Sequence, residues 1–233
     1  MANTLLTSAA EPLVCLCSMA PRPVMAQWAA RHPGGHSALH LQAFGGVEVA
    51  RRVAQGEAAD VVVLARDAID TLVVQGHLRA DSCRDLMRSL VAVAWPSARP
   101  RPDLSSLDAL RQTVLAARSM AYSTGPSGLA LLDRLAQWGL LDQVRDRLVQ
   151  APPGVPVGQL LAQGRAELGF QQRSELMGLP DIAWALLPEP AQIVTVFSAA
   201  VTTASRQAQV ARRWIDFCAN ASADLQAFGM EPA

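Results

Sequence analysis

No stretch of this chain approaches the roughly 18 uninterrupted apolar residues that a membrane-spanning helix needs, so the protein reads as not membrane-embedded. Net charge is lacking as well, because 20 basic residues balance 20 acidic ones. That balance argues against a nucleic-acid partner, since displacing counterions from a phosphate backbone demands a basic surface. It leaves room for a small anion, because one local pocket binds an anion without help from global charge. Residues 1–11 carry no Lys or Arg and no apolar run suited to a signal peptide. The chain as written therefore reads as cytoplasmic, or as periplasmic if a leader was removed. There is no P-loop, no zinc-ligand spacing and no Ser-His-Asp order. Nucleophilic or metal-assisted hydrolysis thus has no support, and neither a cofactor nor a metal is expected. Internal repeats and low-complexity segments are absent too.

The cysteines number only four: Cys15, Cys17, Cys83 and Cys218. Cys15 and Cys17 alternate along one apparent strand and should point to the same face. A disulfide between such neighbours is not expected, and buried free thiols are. The histidines, His32, His36, His40 and His77, lie in polar or loop contexts and read as surface residues.

What the chain does have is bulk and periodicity. With 233 residues, 51% hydrophobic and 17% charged, it can bury a full core as one large domain or two small ones. Short apolar runs alternate with amphipathic helical stretches, the pattern of an α/β protein. Strands are expected at 13–17, 39–44, 60–65, 90–94, 119–122, 167–171 and 193–201. Helices should open at Pro21–Pro23 and after Gly45-Gly46, then cover 69–75, 105–117, 129–138, 157–164 and 208–220. Ser105 or Ser106 sits where a helix N-cap is wanted, and residues 60–65 (DVVVLA) read as a strand buried on both faces. The last helix should bury Val210, Trp214, Ile215 and Phe217 along one side. This order fits two α/β lobes joined by two crossing strands, and it also fits a single doubly wound sheet.

Several blocks narrow that choice. FGGVEVARRVAQGEAADVVVLA (44–65), AYSTGPSG (121–128), VGQLLAQGRAELGFQQRSEL (157–176), VTVFSAAV (194–201) and the closing SADLQAFGMEPA (222–233) resemble the molybdate-type periplasmic (type II) substrate-binding family. Some looser relatives of that family resemble aconitate isomerase. The resemblance implies a two-lobed periplasmic-binding-protein-like type II fold with a two-strand hinge. Lobe 1 would hold residues 1–90 and 200–233 and lobe 2 residues 91–199, with the hinge near 91–94 and 193–201. It also implies a small anion in the cleft, held by hydroxyls and by amides at helix starts. Such amides carry partial positive charge and need no buried cation. For an exported protein the implied partner is an ABC transporter permease.

Carried over residue by residue, the resemblance makes Ser18 a hydroxyl donor after the first strand. After the second strand the family's hydroxyl is missing, and Gly46, Val47 and Glu48 stand there instead. Ser127 with the Gly128 amide matches the next helix start, and Val157 matches a further backbone donor. Gln171 stands where molybdate binders carry a Tyr. Each position has an ordinary alternative: Ser18 as a helix cap, and Ser123, Thr124 and Ser127 as turn residues around Gly125-Pro126. Arg22 lies in a first helical turn, against the helix dipole. It should therefore face something acidic, either a carboxylate ligand or a structural Asp or Glu. Arg173 is a weaker candidate for the same work. Glu48 reads as a capping carboxylate or, if the protein is an enzyme, as a general base. Two functions follow from this set: solute-type binding of a small oxyanion or carboxylate, or a cytoplasmic isomerase shifting an allylic proton in a small polycarboxylate.

Overall fold

The computed structural model describes residues 11–32, 39–221 and 225–233. Expectations for the leader region, for His36 and for the first residues of the closing block fall outside them. The chain runs β1 (Leu13–Ser18), α1 (Arg22–Arg31), β2 (Leu39–Phe44), α2 (Gly46–Ala54), β3 (Val61–Ala65), α3 (Arg66–Val74) and β4 (Arg84–Pro96). It continues through α4 (Leu107–Ala116), β5 (Met120–Tyr122), α5 (Pro126–Gln137), α6 (Leu141–Val144), β6 (Leu148–Gln150) and α7 (Val157–Ala162). Last come β7 (Leu168–Gln172), α8 (Arg173–Leu176), β8 (Ile182–Leu186), β9 (Val194–Val201), α9 (Ala208–Asn220) and β10 (Met230–Glu231).

The strands pair in the order β2-β1-β3-β9-β4-β7-β5-β6, and β8 and β10 also pair with β4. β2, β1 and β3 run parallel, as do β6, β5 and β7, which is the product of strand–helix–strand crossovers. Between the two parallel groups lies β4, 13 residues long. Up to Leu90 it pairs with β9 and β10; from Val91 onward it pairs with β7 and β8. The sequence indicates only its second part, because Arg84, Asp85 and Arg88 interrupt the apolar run where the strand's outer face meets solvent. The boundary expected at 199–200 falls inside β9, whose residues up to Ala199 pair with the first part of β4 and whose residues from Phe197 on pair with β3.

Each half of the sheet is covered on both faces. In β1, Cys15 and Cys17 pack with Trp28, Trp214 and Cys218 under α1 and α9, while Leu16 points the other way toward Val49, Ile69 and Leu72 on α2 and α3. All five residues of β3 are buried, as a two-sided apolar strand should be. In the other half, Val91, Val93 and Phe170 pack against Leu110, Leu131 and Leu135 on α4 and α5, and Ala92 and Ala94 face Val157, Leu160 and Leu161 on α7. Cys15, Cys17, Cys83 and Cys218 are free. The Ser106 hydroxyl caps α4 by accepting from the Ala109 amide at 3.1 Å. α9 buries Ala211, Trp214, Ile215 and Cys218, the i, i+3, i+4, i+7 stripe, so the expected Val210 turns outward and Phe217 is only partly covered. His40 is exposed, whereas His77 and His32 are half-buried, with His32 edge-on to Phe217 at 5.1 Å.

Candidate functional site

The site assembles at the carboxyl ends of the parallel strands, where open α/β sheets leave their crevice. Ser18 is the last residue of β1 and pairs in register with Phe44, the last of β2. That register sets Ser18 beside the turn into α2. A Cβ placed on Gly46, the first residue of α2, would lie 3.7 Å from Ser18 Cβ and 3.9 Å from Pro126 Cδ. Pro126 opens α5 in the other half of the sheet. Ser18 and the starts of two helices from opposite halves therefore meet around one point. A side chain at position 46 would fill that point, so glycine there keeps it open.

The donors differ in how they are occupied. The Ser18 hydroxyl is buried and has no hydrogen-bond partner among the described residues. An orphaned buried hydroxyl is costly unless something arrives to accept from it or donate to it. The first helical bond of α2 runs from the Val49 amide to Gly45 at 3.0 Å, which leaves the Gly46, Val47 and Glu48 amides without helical partners. Ser127 is buried and its hydroxyl lies 3.0 Å from that of Ser123. The Gly128 amide, expected to be a ligand donor, instead donates to the Gly125 carbonyl at 2.9 Å. Gly128 serves the site through its size, since a Cβ there would fall 1.8 Å from the Ser123 carbonyl oxygen.

Tyr122, the last residue of β5, and Phe170 of β7 are register partners, so Ser123 leaves the sheet where β7 continues through Gln171 and Gln172, paired with Ala92 and Val91 of β4. Gln171 is buried, and its Oε1 accepts from the Val157 amide at 2.8 Å. That bond occupies the second expected backbone donor. Behind Gln171 lies Glu175, which the sequence reading missed. Part of its surface meets solvent, yet the surrounding protein pushes its carboxyl up to about 7, opposed by the hydrogen bond from the Gln171 amide. In sequence its only signal is its place four residues beyond Gln171, which does not reveal burial.

Of the charged candidates, Arg22 is exposed at the start of α1 and its guanidinium has no ion pair among the described residues. It is close enough to Cys17, next to Ser18, to favour the thiolate there, although burial dominates and pushes that thiol up to about 12. Among the described residues no carboxylate pairs with Arg22. Arg173 works elsewhere, holding the Gly229 carbonyl at 3.0 Å and Glu231 at 3.5 Å. Glu48 does not suit the base role envisaged for it. Arg51 grips it through two bonds of 2.7 and 2.8 Å and Arg52 adds a third at 2.8 Å. These hydrogen bonds hold its carboxyl down at about 2, too acidic to take a proton near neutrality.

Two sheet halves sharing long strands, with helix starts from each meeting at a buried hydroxyl, characterise this α/β protein. The chain belongs to the bacterial extracellular solute-binding proteins, a family that matches residues 13–231. It is 37% identical over 187 residues to a Pseudomonas sp. protein named aconitate isomerase, a match covering 79% of this chain and 71% of that one. Its fold is that of the Azotobacter vinelandii periplasmic molybdate-binding protein (TM-score 0.76, 21% identity, 94% of this chain and 98% of that chain). It is also that of the Mycobacterium tuberculosis sulfate-binding protein (TM-score 0.77, 15% identity, 95% and 87%). The periplasmic-binding-protein-like fold expected from the sequence blocks is thereby established.

Proposed function

We propose that this protein binds a small anion in the cleft between its two sheet halves, with a polycarboxylate favoured over a tetrahedral oxyanion. The observation that carries the reading is the convergence at Gly46, where the orphaned Ser18 hydroxyl meets the starts of α2 and α5. Helix-start amides and hydroxyls supply directed donors for an oxyanion or a carboxylate alike. Three departures favour the carboxylate: no hydroxyl stands at 46–48, Gln171 replaces the aromatic hydroxyl, and Arg22 offers a guanidinium with no ion pair among the described residues, suited to bidentate recognition. The described residues up to Leu90 and from Val194 onward form one lobe and those from Val91 to Ile193 the other, and the crossings at Leu90–Val91 and Ile193–Val194 act as the hinge on which the lobes close. The family's extracellular character supports an exported protein, for which an ABC transporter permease is the natural partner.

The test is calorimetric titration of the purified protein with sulfate, molybdate, citrate and trans-aconitate. Saturable binding of at least one of these, weakened by Ser18→Ala, supports the reading. Absence of binding to all four would overturn it.

A second reading rests on the relative named aconitate isomerase: the bound polycarboxylate is turned over by an allylic proton shift. Such a step asks for fixed carboxylates and one group that takes and returns a proton. Proton NMR of cis- and trans-aconitate in deuterated buffer decides between binding and turnover. Interconversion with deuterium uptake establishes the isomerase, and unchanged spectra leave binding alone.

A further inference from the structure

The last strand pairs with one half of the sheet, yet part of what holds it comes from the other. β7 ends with Gln172 opposite Val91, and β10 begins with Met230 opposite Ser89, two residues earlier on β4. The α8 turn that follows β7 meets the chain end there. Gly229 has a φ of +69°, and a Cβ on it would lie 2.6 Å from Met177 Sδ and 3.0 and 3.1 Å from Ser174 Cα and N. Glycine therefore lets the chain end lie close against α8. Arg173 donates to the Gly229 carbonyl at 3.0 Å, and its guanidinium lies 3.5 Å from Glu231 Oε1. The other carboxylate oxygen of Glu231 accepts from Arg88, on the first part of β4, at 3.0 Å. Glu231 is thus clasped by one arginine from each half. At the end of β7, Gln172 Nε2 donates to the Thr195 hydroxyl of β9 at 2.6 Å. The same seam is short of partners. Ser89 Oγ, Gln172 Oε1 and Ser174 Oγ are buried with no hydrogen bond among the described residues. Three orphaned groups in one seam mean that this packing forgoes hydrogen bonds that opening to water would restore.

We propose that the C-terminal strand is a latch across the hinge: the bonds from Arg173 to Gly229 and Glu231 are made when the lobes close and break when they part, so they set how readily the cleft opens. This rests on the two-lobed anion-binding reading above, and it makes Arg173 and Glu231 positioning residues that never touch the ligand. In the described arrangement the latch is fastened and the cleft is closed at the same time. A Cβ on Gly46 of one half would come within 3.9 Å of Pro126 Cδ of the other. Two opposing tendencies meet in the seam. Charged bonds and the close approach at Gly229 favour closure, while the three orphaned groups favour opening. A seam balanced in this way can open and close at modest cost.

A ligand gripped by both lobes binds only the closed fraction, so its apparent affinity scales with that fraction whatever its chemistry. The experiment combines calorimetric titration with sulfate and trans-aconitate and small-angle X-ray scattering of the ligand-free protein. Arg173→Gln removes the charged bonds, and Gly229→Ala pushes the chain end off α8 without touching a charge. Each should weaken both anions by one common factor of about tenfold and enlarge the radius of gyration. Glu231→Gln should do the same to a smaller degree, because the Gly229 bond remains. A tie that merely stabilises the fold would lower the melting temperature and leave radius and affinities alone. Unchanged affinities in Arg173→Gln and Gly229→Ala overturn the proposal, as does a wild-type radius in both. A loss confined to one anion in Arg173→Gln overturns it too, because Arg173 would then be touching the ligand. Scattering needs no ligand, so the two readings fail separately. If wild type binds neither anion, the anion-binding reading falls, and expansion of the two variants alone upholds or refutes the latch.

Discussion

Replacing Ser18 with alanine should move stability and affinity in opposite directions. In the structure the Ser18 hydroxyl is buried with no partner among the described residues. Leaving such a group unsatisfied costs about 1–3 kcal/mol, less whatever a solvent molecule restores. Alanine removes the oxygen and keeps the Cβ, so the carbon framework beside Gly46 is unchanged. The protein without ligand should therefore hold or gain about 1 kcal/mol, which for a chain of this size raises Tm by about 2–4 °C. The same deletion removes a hydrogen bond to a charged guest, worth about 1.5–3 kcal/mol, and weakens the anion about 10- to 150-fold. Thermal unfolding without ligand and calorimetric titration with the tightest of the tested anions read the two effects separately. An ordinary capping or core serine would lower both quantities or only the first. A variant that melts earlier and binds as well as wild type would refute the reasoning.

Other perturbations follow from the same geometry. Arg22→Ala should weaken trans-aconitate about tenfold or more while changing sulfate less, since a guanidinium matches a carboxylate edge; equal losses for both anions in titration would contradict it. Gly128→Ala would drive a methyl group into the Ser123 carbonyl, 1.8 Å away, so it should destabilise the fold and distort the Ser123–Ser127 turn. Urea unfolding would show a lower midpoint, and an unchanged midpoint would count against the turn geometry. Glu167 is held at about 2, first by the Arg118 backbone amide and then by the Arg99 and Arg118 guanidiniums. Its folded pKa is depressed, so its contribution is present above the unfolded value of about 4.5 and is lost as pH falls toward 2. Glu167→Gln should therefore flatten the decline of Tm across that acid window, and a decline as steep as wild type would sink the assignment.

The α/β alternation was legible because burial leaves a period in the chain. β2 and α9 carry the expected bounds, and β3 and β9 differ from theirs by one residue, since a two-sided strand or a helical stripe writes its own apolar pattern. β8 and the first part of β4 were not legible. Ile182–Leu186 is half-buried throughout, and charged residues interrupt β4 wherever its outer face meets solvent. Val210 and Ala211 exchanged places on α9 for a related reason: both fit a helix, and only the packed neighbour selects which enters the core.

At the site the division is sharper. Ser18, Gly46 and Ser127 could be named as candidates because strand ends and helix starts can be read along the chain, and the structure brings Ser18 and the two helix starts to one place. Sequence alone determined the residue types: hydroxyls and glycines at helix entrances, a guanidinium at the first, and a glutamine where an aromatic hydroxyl is usual. Tertiary structure decided which of their bonds are already taken. Gly128 and Val157 spend their amides within the protein, Glu48 is captured by two arginines, and Glu175 acquires a near-neutral pKa. Hydrogen-bond occupancy and desolvation depend on groups far apart in the chain, and no local pattern encodes them.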